Sequence, residues 1–165
     1  MPNWKEAIIM ATMILLAASP AQAAMKADQV IVNKAERQLL LMSKGQVFKK
    51  FKVALGGNPV GRKWREGDQR TPEGRYLLDT KKSDSGYYKA IHVSYPNSAD
   101  RLRARLGGFS PGGAIMIHGQ KNGFDWLTLT AQNLDWTQGC IAVKNEEMEE
   151  IWAAVDAGTP ILINP

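Results

Sequence analysis

From Val30 onward the apolar residues fall in short runs cut by turn-forming residues, and this punctuation constrains the fold more than any other feature of the chain. Val30-Ile31-Val32 leads into a second run, Gln38 to Met42. Ser43-Lys44-Gly45 then reads as a turn, and Val47, Phe51 and Val53 alternate with polar residues up to Leu55. A period of two across a glycine turn predicts a β-hairpin, because successive strand side chains point to opposite faces. Tyr76-Leu77-Leu78, Tyr88 to Tyr95 and Ala114 to Ile117 read as further strands. In the second of these Ile91 and Val93 face one way while His92 and Ser94 face the other. The third delivers His118-Gly119 at its end.

Two helices interrupt the pattern. Ser98 to Leu106 is predicted as a short helix with Ser98 as its cap and Gly107-Gly108 as its stop. Asn145 is expected to cap a second, with Glu146 and Glu147 in the first turn against the positive end of the helix dipole. Met148, Ile151, Trp152 and Val155 form its apolar stripe, and Gly158 ends it. Thr159-Pro160-Ile161-Leu162-Ile163 closes the domain as a strand. The fold class is mainly β with a few short helices. Between Gly56 and Gly74 the chain has glycines, prolines and charges but no period, a length without regular structure that suggests either function or disorder.

The first residues read differently. Lys5 precedes an apolar stretch from Ala7 to Ala18, and Ser19-Pro20 breaks it before Ala21-Gln22-Ala23. Charge, apolar core and small-x-small site, in that order, describe a signal peptide over residues 1–23, cleaved after Ala23. The stretch is shorter than the roughly 20 residues that span a bilayer, so no stable membrane insertion is expected after cleavage. The protein is therefore expected to be secreted and soluble in the periplasm or its equivalent, with one domain over residues 28–164.

The net charge of +5 stays with that domain, since the leader holds one Lys and one Glu. An exported protein rarely meets nucleic acid, and the basic residues are scattered, so no nucleic-acid partner is expected. An anionic wall polymer fits the compartment better, and a merely solvated basic surface fits as well. Arg62, Lys63, Arg65 and Arg70 are candidate carboxylate holders.

Cys140 is the only cysteine. In an oxidising compartment it has no disulfide partner in its own chain, which leaves a nucleophile or a small buried apolar side chain. A nucleophilic cysteine needs a base to take its proton and backbone donors for an oxyanion. Only His92 and His118 can supply an imidazole, and His118, at a strand end before a glycine, is the stronger choice. Gly139 allows close backbone approach, and the amides at and beside Cys140 are natural oxyanion donors. Trp126 and Trp136 flank the segment and either shape a groove or simply pack. One Cys and two His without short spacing define no metal site, and neither phosphate-loop nor Gly-x-Ser-x-Gly motifs occur.

His118-Gly119 followed by Thr137-Gln138-Gly139-Cys140-Ile141 resembles the signature of the L,D-transpeptidase catalytic domain, also called YkuD. The resemblance extends to Gly56-Gly57-Asn58-Pro59-Val60-Gly61, Glu66-Gly67-Asp68, Thr71-Pro72-Glu73-Gly74, Ser94-Tyr95-Pro96-Asn97 and the terminal helix and strand. It implies a β-sandwich or open barrel, with Cys140 as nucleophile and His118 as general base and then acid. Thr137, Gln138 and Gly139 would support the site, with His92 and Gly119 at the cleft. The implied substrates are peptidoglycan stem peptides. A thioester on Cys140 would pass to an amine in a 3→3 cross-link or to water, with no cofactor required. Gln138 stands where many members carry histidine, whose backbone carbonyl orients the imidazole, and Ala142 where many carry Arg or Asn. The Gly-Cys-Ile-Ala pattern resembles a branch that also holds enzymes detaching a wall-linked lipoprotein. A hydrolase on this scaffold, or a wall-binding module without catalysis, are the alternatives.

Overall fold

A computed structural model describes residues 25–124 and 132–165. The expected leader and Trp126 lie outside these residues. Among the described residues no helix is long and apolar enough to cross a membrane.

One eight-stranded sheet organises the chain. Its strands are β1 (Gln29–Asn33), β2 (Gln38–Ser43), β3 (Gln46–Lys52), β4 (Gly74–Ser85), β5 (Tyr88–Val93), β6 (Met116–His118), β7 (Ile141–Ala142) and β8 (Thr159–Asn164). The order across the sheet is β3-β2-β1-β8-β4-β5-β6-β7, with β1–β8 and β6–β7 parallel and the other pairs antiparallel. This is the open, curled form of the two β architectures expected. The two ends of the sheet meet where the chain leaving β3 reaches β7. Ala54 and Ala142 exchange both backbone hydrogen bonds at 2.9 Å, and Gly56 bridges Thr137. Residues on either side of Cys140 are thus tied to both ends of the sheet.

The core follows the alternation read from sequence. Val30, Val32, Leu39, Leu41, Leu78, Ile91, Val93, Ile117, Ile161 and Ile163 are buried in one cluster. Helix α2 (Asn145–Ala154) adds Met148 and Ile151 to it, and Val155, buried with them, lies just past the helix end. Lys81, on β4, donates to the Trp152 and Val155 carbonyls at 2.6 and 2.8 Å, satisfying acceptors that a helix end leaves open.

Local details depart from expectation. Val47 is 47% exposed although it matches Phe51 and Val53 in parity. Leu41 pairs with Lys49 but Met42 with Val47, so Phe48 is an extra residue, and this bulge inverts the facing of everything before it on β3. The cap of α1 (Ser98–Gly107) is Asn97, not Ser98. Asn97 Oδ1 accepts from the Asp100 amide at 3.0 Å, and Asp100 Oδ2 accepts from the Asn97 amide at 3.1 Å, a reciprocal capping box. Lys144 occupies the N-cap of α2, its amide donating to Glu147 Oε2 at 2.9 Å. Asn145 is already helical, and its Oδ1 accepts from the Gln120 amide at 2.8 Å. Gly158 follows the helix rather than ending it, since the C-cap is Val155.

Candidate active site

The segment that carries Cys140 is held by backbone first. Thr137 donates its amide to Leu55 O at 3.1 Å and accepts from the Gly57 amide at 3.0 Å. Its hydroxyl donates to Cys140 O at 2.7 Å and accepts from the Gly139 amide at 3.1 Å. Gly139 has φ +123, and a Cβ there would stand 2.6 Å from Arg70 O, so only glycine fits between the turn and the 56–74 loop. Just upstream, Asp135 accepts from Arg37 Nη2 at 2.7 Å, Arg37 Nε at 3.1 Å and the Leu55 amide at 3.0 Å. The turn is therefore pinned to β1–β2, to the residues after β3 and to the long loop.

His118 comes from the other side. It ends β6, paired with Ala90 on β5 and Ala142 on β7, and its ring is buried. Its Nδ1 lies 2.6 Å from Gly119 O. A carbonyl can only accept, so Nδ1 carries the proton and Nε2 of the neutral ring is left as the basic nitrogen. The carbonyl that fixes the imidazole is thus Gly119's, whereas the resemblance gives that role to the position of Gln138. Burial lowers the His118 pKa from its ordinary value, and the Gly119 bond offsets this only in part. Gly119 itself admits no side chain: a Cβ would meet Asn145 Oδ1 at 2.5 Å.

Cys140 is half-buried, and its Sγ lies 3.6 Å from Ala114 O. Burial pushes the thiol pKa up, opposed by the Met116 backbone amide and the positive charge of Lys63. At neutral pH the pair consequently rests as thiol and neutral imidazole.

Both residues line one cleft of about 460 Å³, together with Thr137 and the exposed Gln138. Its walls include Lys82, Asp84 and Tyr87 of the β4–β5 hairpin, Met116 and Trp136. Tyr87 lies with its ring centroid 4.7 Å from that of His118 and 6.1 Å from that of Trp136, the latter pair stacked. Trp136 meets the imidazole edge-on at 5.8 Å, so two aromatic rings pack around it. The Trp136 indole Nε1 is buried without a hydrogen-bond partner. The sequence reading stops this strand at Leu78, but β4 runs on through Asp79 to Ser85, polar on both faces, and Asp84-Ser85-Gly86 is the turn signal that marks the tip of the hairpin.

His92 shares a sheet face with His118 but does not line the cleft; its Nδ1 is 2.7 Å from Asp79 Oδ1. Nor is the Gly139 amide open to an oxyanion, being bound to Thr137 Oγ1. Lys63, one of the four candidate carboxylate holders, is 4% exposed and bound to Asp68 at 2.8 Å, so it is not available for that role.

Comparison with known proteins places this geometry. Residues 27–163 match the YkuD family, the L,D-transpeptidase catalytic domain. The Escherichia coli K12 protein YafK, provisionally named an L,D-transpeptidase, is 33% identical over 112 residues, 67% of this chain and 38% of its own length. YqjB of Bacillus subtilis, provisionally named likewise, is 28% identical over 138 residues, 81% of this chain and 69% of its own. The crystal structure of Pgp2, a helical cell shape determining protein of Campylobacter jejuni, superposes with a TM-score of 0.64 at 26% identity, covering 82% of this chain and 46% of that one. The chain thus spans less than half the length of YafK or Pgp2. It belongs to the L,D-transpeptidase catalytic domain family.

Proposed function

We propose that this protein is an exported cysteine acyltransferase of the cell wall, acting on peptidoglycan stem peptides. The observation that carries the reading is an imidazole whose Nδ1 is fixed on a carbonyl, in the same cleft as the chain's single thiol. His118 Nε2 takes the Cys140 proton as sulfur attacks the carbonyl of the third stem residue. The Cys140 amide stabilises the oxyanion, since the Gly139 amide is engaged elsewhere. His118 returns the proton to the departing D-alanine amine, leaving a thioester. An amine of a neighbouring stem then attacks the thioester, His118 accepts its proton, and the thiolate leaves and is reprotonated. The product is a 3→3 cross-link.

Hydrolysis of the same thioester gives the second reading, a carboxypeptidase or an enzyme releasing a wall-linked lipoprotein. Likeness to a cell shape determining protein supports a place in wall remodelling and cell shape. Purified protein incubated with a carbapenem should gain the mass of one adduct on Cys140, and Cys140→Ala none. Mass spectra of muropeptides after incubation with tetrapeptide stems should show 3→3 dimers. Trimmed monomers alone would assign the hydrolase, and absence of any adduct or product would leave a wall-binding module.

A further inference from the structure

Outside the Cys140 cleft, a second depression of about 530 Å³ lies on the 56–74 loop, lined by Asn58, Trp64, Arg65, Asp68, Arg70 and Phe109. None of these residues lines the Cys140 cleft. We propose that it is a binding shelf for a carboxylate-bearing peptide, which, on the acyl-transfer reading above, is a second stem peptide of the wall.

The charge of this depression is positive although it contains an acid. Asp68 is turned inward, accepting from Lys63 Nζ at 2.8 Å and from the amides of Trp64, Arg65 and Arg70 at 2.7, 3.1 and 3.1 Å. Burial alone would raise its pKa, but these four donors hold it below the ordinary carboxylate range. The guanidiniums have no such internal use. Among the described residues Arg65 has no acidic partner, and the Arg70 guanidinium makes one hydrogen bond, Nη1 to Arg62 O at 3.4 Å. An arginine fork beside apolar rings suits a carboxylate on a peptide, because the guanidinium binds both oxygens while the rings cover the chain.

Trp64 is 47% exposed, large apolar surface left open beside those cations. The shelf is rigid as well as charged. Lys34 Nζ, buried, holds Gly61 O at 2.7 Å, Thr71 O at 3.2 Å and Glu73 Oε1 at 2.7 Å. Opposite, the Glu66 amide donates to Ser110 O at 2.8 Å and Ser110 Oγ to Glu66 Oε2 at 3.1 Å, fixing the loop that carries Phe109. A site held in shape before binding loses less entropy on binding. It also abuts the catalytic turn, since Arg70 O is what Gly139 packs against.

The test uses the full chain with Cys140→Ser, titrated calorimetrically with a wall tetrapeptide carrying free carboxylates and with its fully amidated form. Arg65→Glu is expected to weaken the free-carboxylate peptide by about tenfold or more, the scale of one charge-assisted pair, and to leave the amidated peptide unchanged. Arg65→Gln, a milder change, should give a smaller loss in the same direction, and Trp64→Ala a loss with both peptides. Equal binding of the free-carboxylate peptide to the parent and Arg65→Glu, or an equal loss of both peptides in Arg65→Glu, would overturn the shelf. With Cys140 restored, carbapenem acylation of Arg65→Glu should run at the wild-type rate. Failure of acylation in the wild type would instead overturn the acyl-transfer reading and leave the binding result standing.

Discussion

Thr137 uses its hydroxyl twice, as acceptor for the Gly139 amide and donor to Cys140 O. Thr137→Val keeps the shape and removes both bonds, leaving a buried amide without a partner. The expected loss is about 1–3 kcal/mol, read by chemical denaturation, with slower carbapenem acylation and recovery of both in Thr137→Ser. At Gly139 the positive φ and the Arg70 carbonyl act together, so Gly139→Ala should lose acylation even where folded protein is recovered. The titrating pair has a signature of its own. A lowered His118 pKa keeps the base neutral as pH falls through the ordinary histidine value, while a raised Cys140 pKa keeps the thiol protonated above neutrality. Acylation should therefore lose its acid limb only below about pH 6.5. Alkylation of Cys140 in a His118→Ala background should rise only above the ordinary cysteine range. Cys140 and the two-histidine choice were legible in sequence because so few residues can do this chemistry. The Gly119 carbonyl was not, since any residue supplies a carbonyl and only the backbone path decides which one is near.

Among elements, the 56–74 loop shows why charge in a sequence is ambiguous. Lys34 and Lys63 look like solvated lysines, yet both are buried against Glu73 and Asp68. Removing one partner strands the other charge, so Asp68→Asn should cost about 3–5 kcal/mol, measured by thermal or chemical unfolding. For wild-type Asp68 the pKa in the folded state is lowered, so its contribution is full above the unfolded value and is lost as pH falls through the folded one. Hydrogen exchange of the Trp64, Arg65 and Arg70 amides should accordingly show lost protection in acid, below about pH 4, after correction for intrinsic rates. β1, β2 and α2 were legible because burial on one face imposes a period. The outer half of β4 was not, because a polar hairpin arm has no apolar face to impose one. Asn97 rather than Ser98 caps α1, a one-residue difference between two good capping side chains.

For the whole molecule, a single cysteine means that covalent cross-links within the chain contribute nothing to stability. The melting temperature should be the same with and without reductant. A shift would reveal an intermolecular disulfide. The net charge of +5 and the arginines of the second depression predict that co-sedimentation with purified wall sacculi falls as salt rises from about 0.05 to 0.5 M, where the Debye length drops below 10 Å. The mostly β class was readable from local patterns. The meeting of the sheet's two ends was not, because Ala54 and Ala142 are two small residues far apart in sequence, and nothing local marks their pairing. That bridge limits how a polymer can be held. With the edge of β7 already occupied by the chain's own backbone, no peptide can dock there as an added strand. At that edge, beside the cleft, a bound chain is left to be recognised by loops and side chains, and so by its charges and shape more than by its amides.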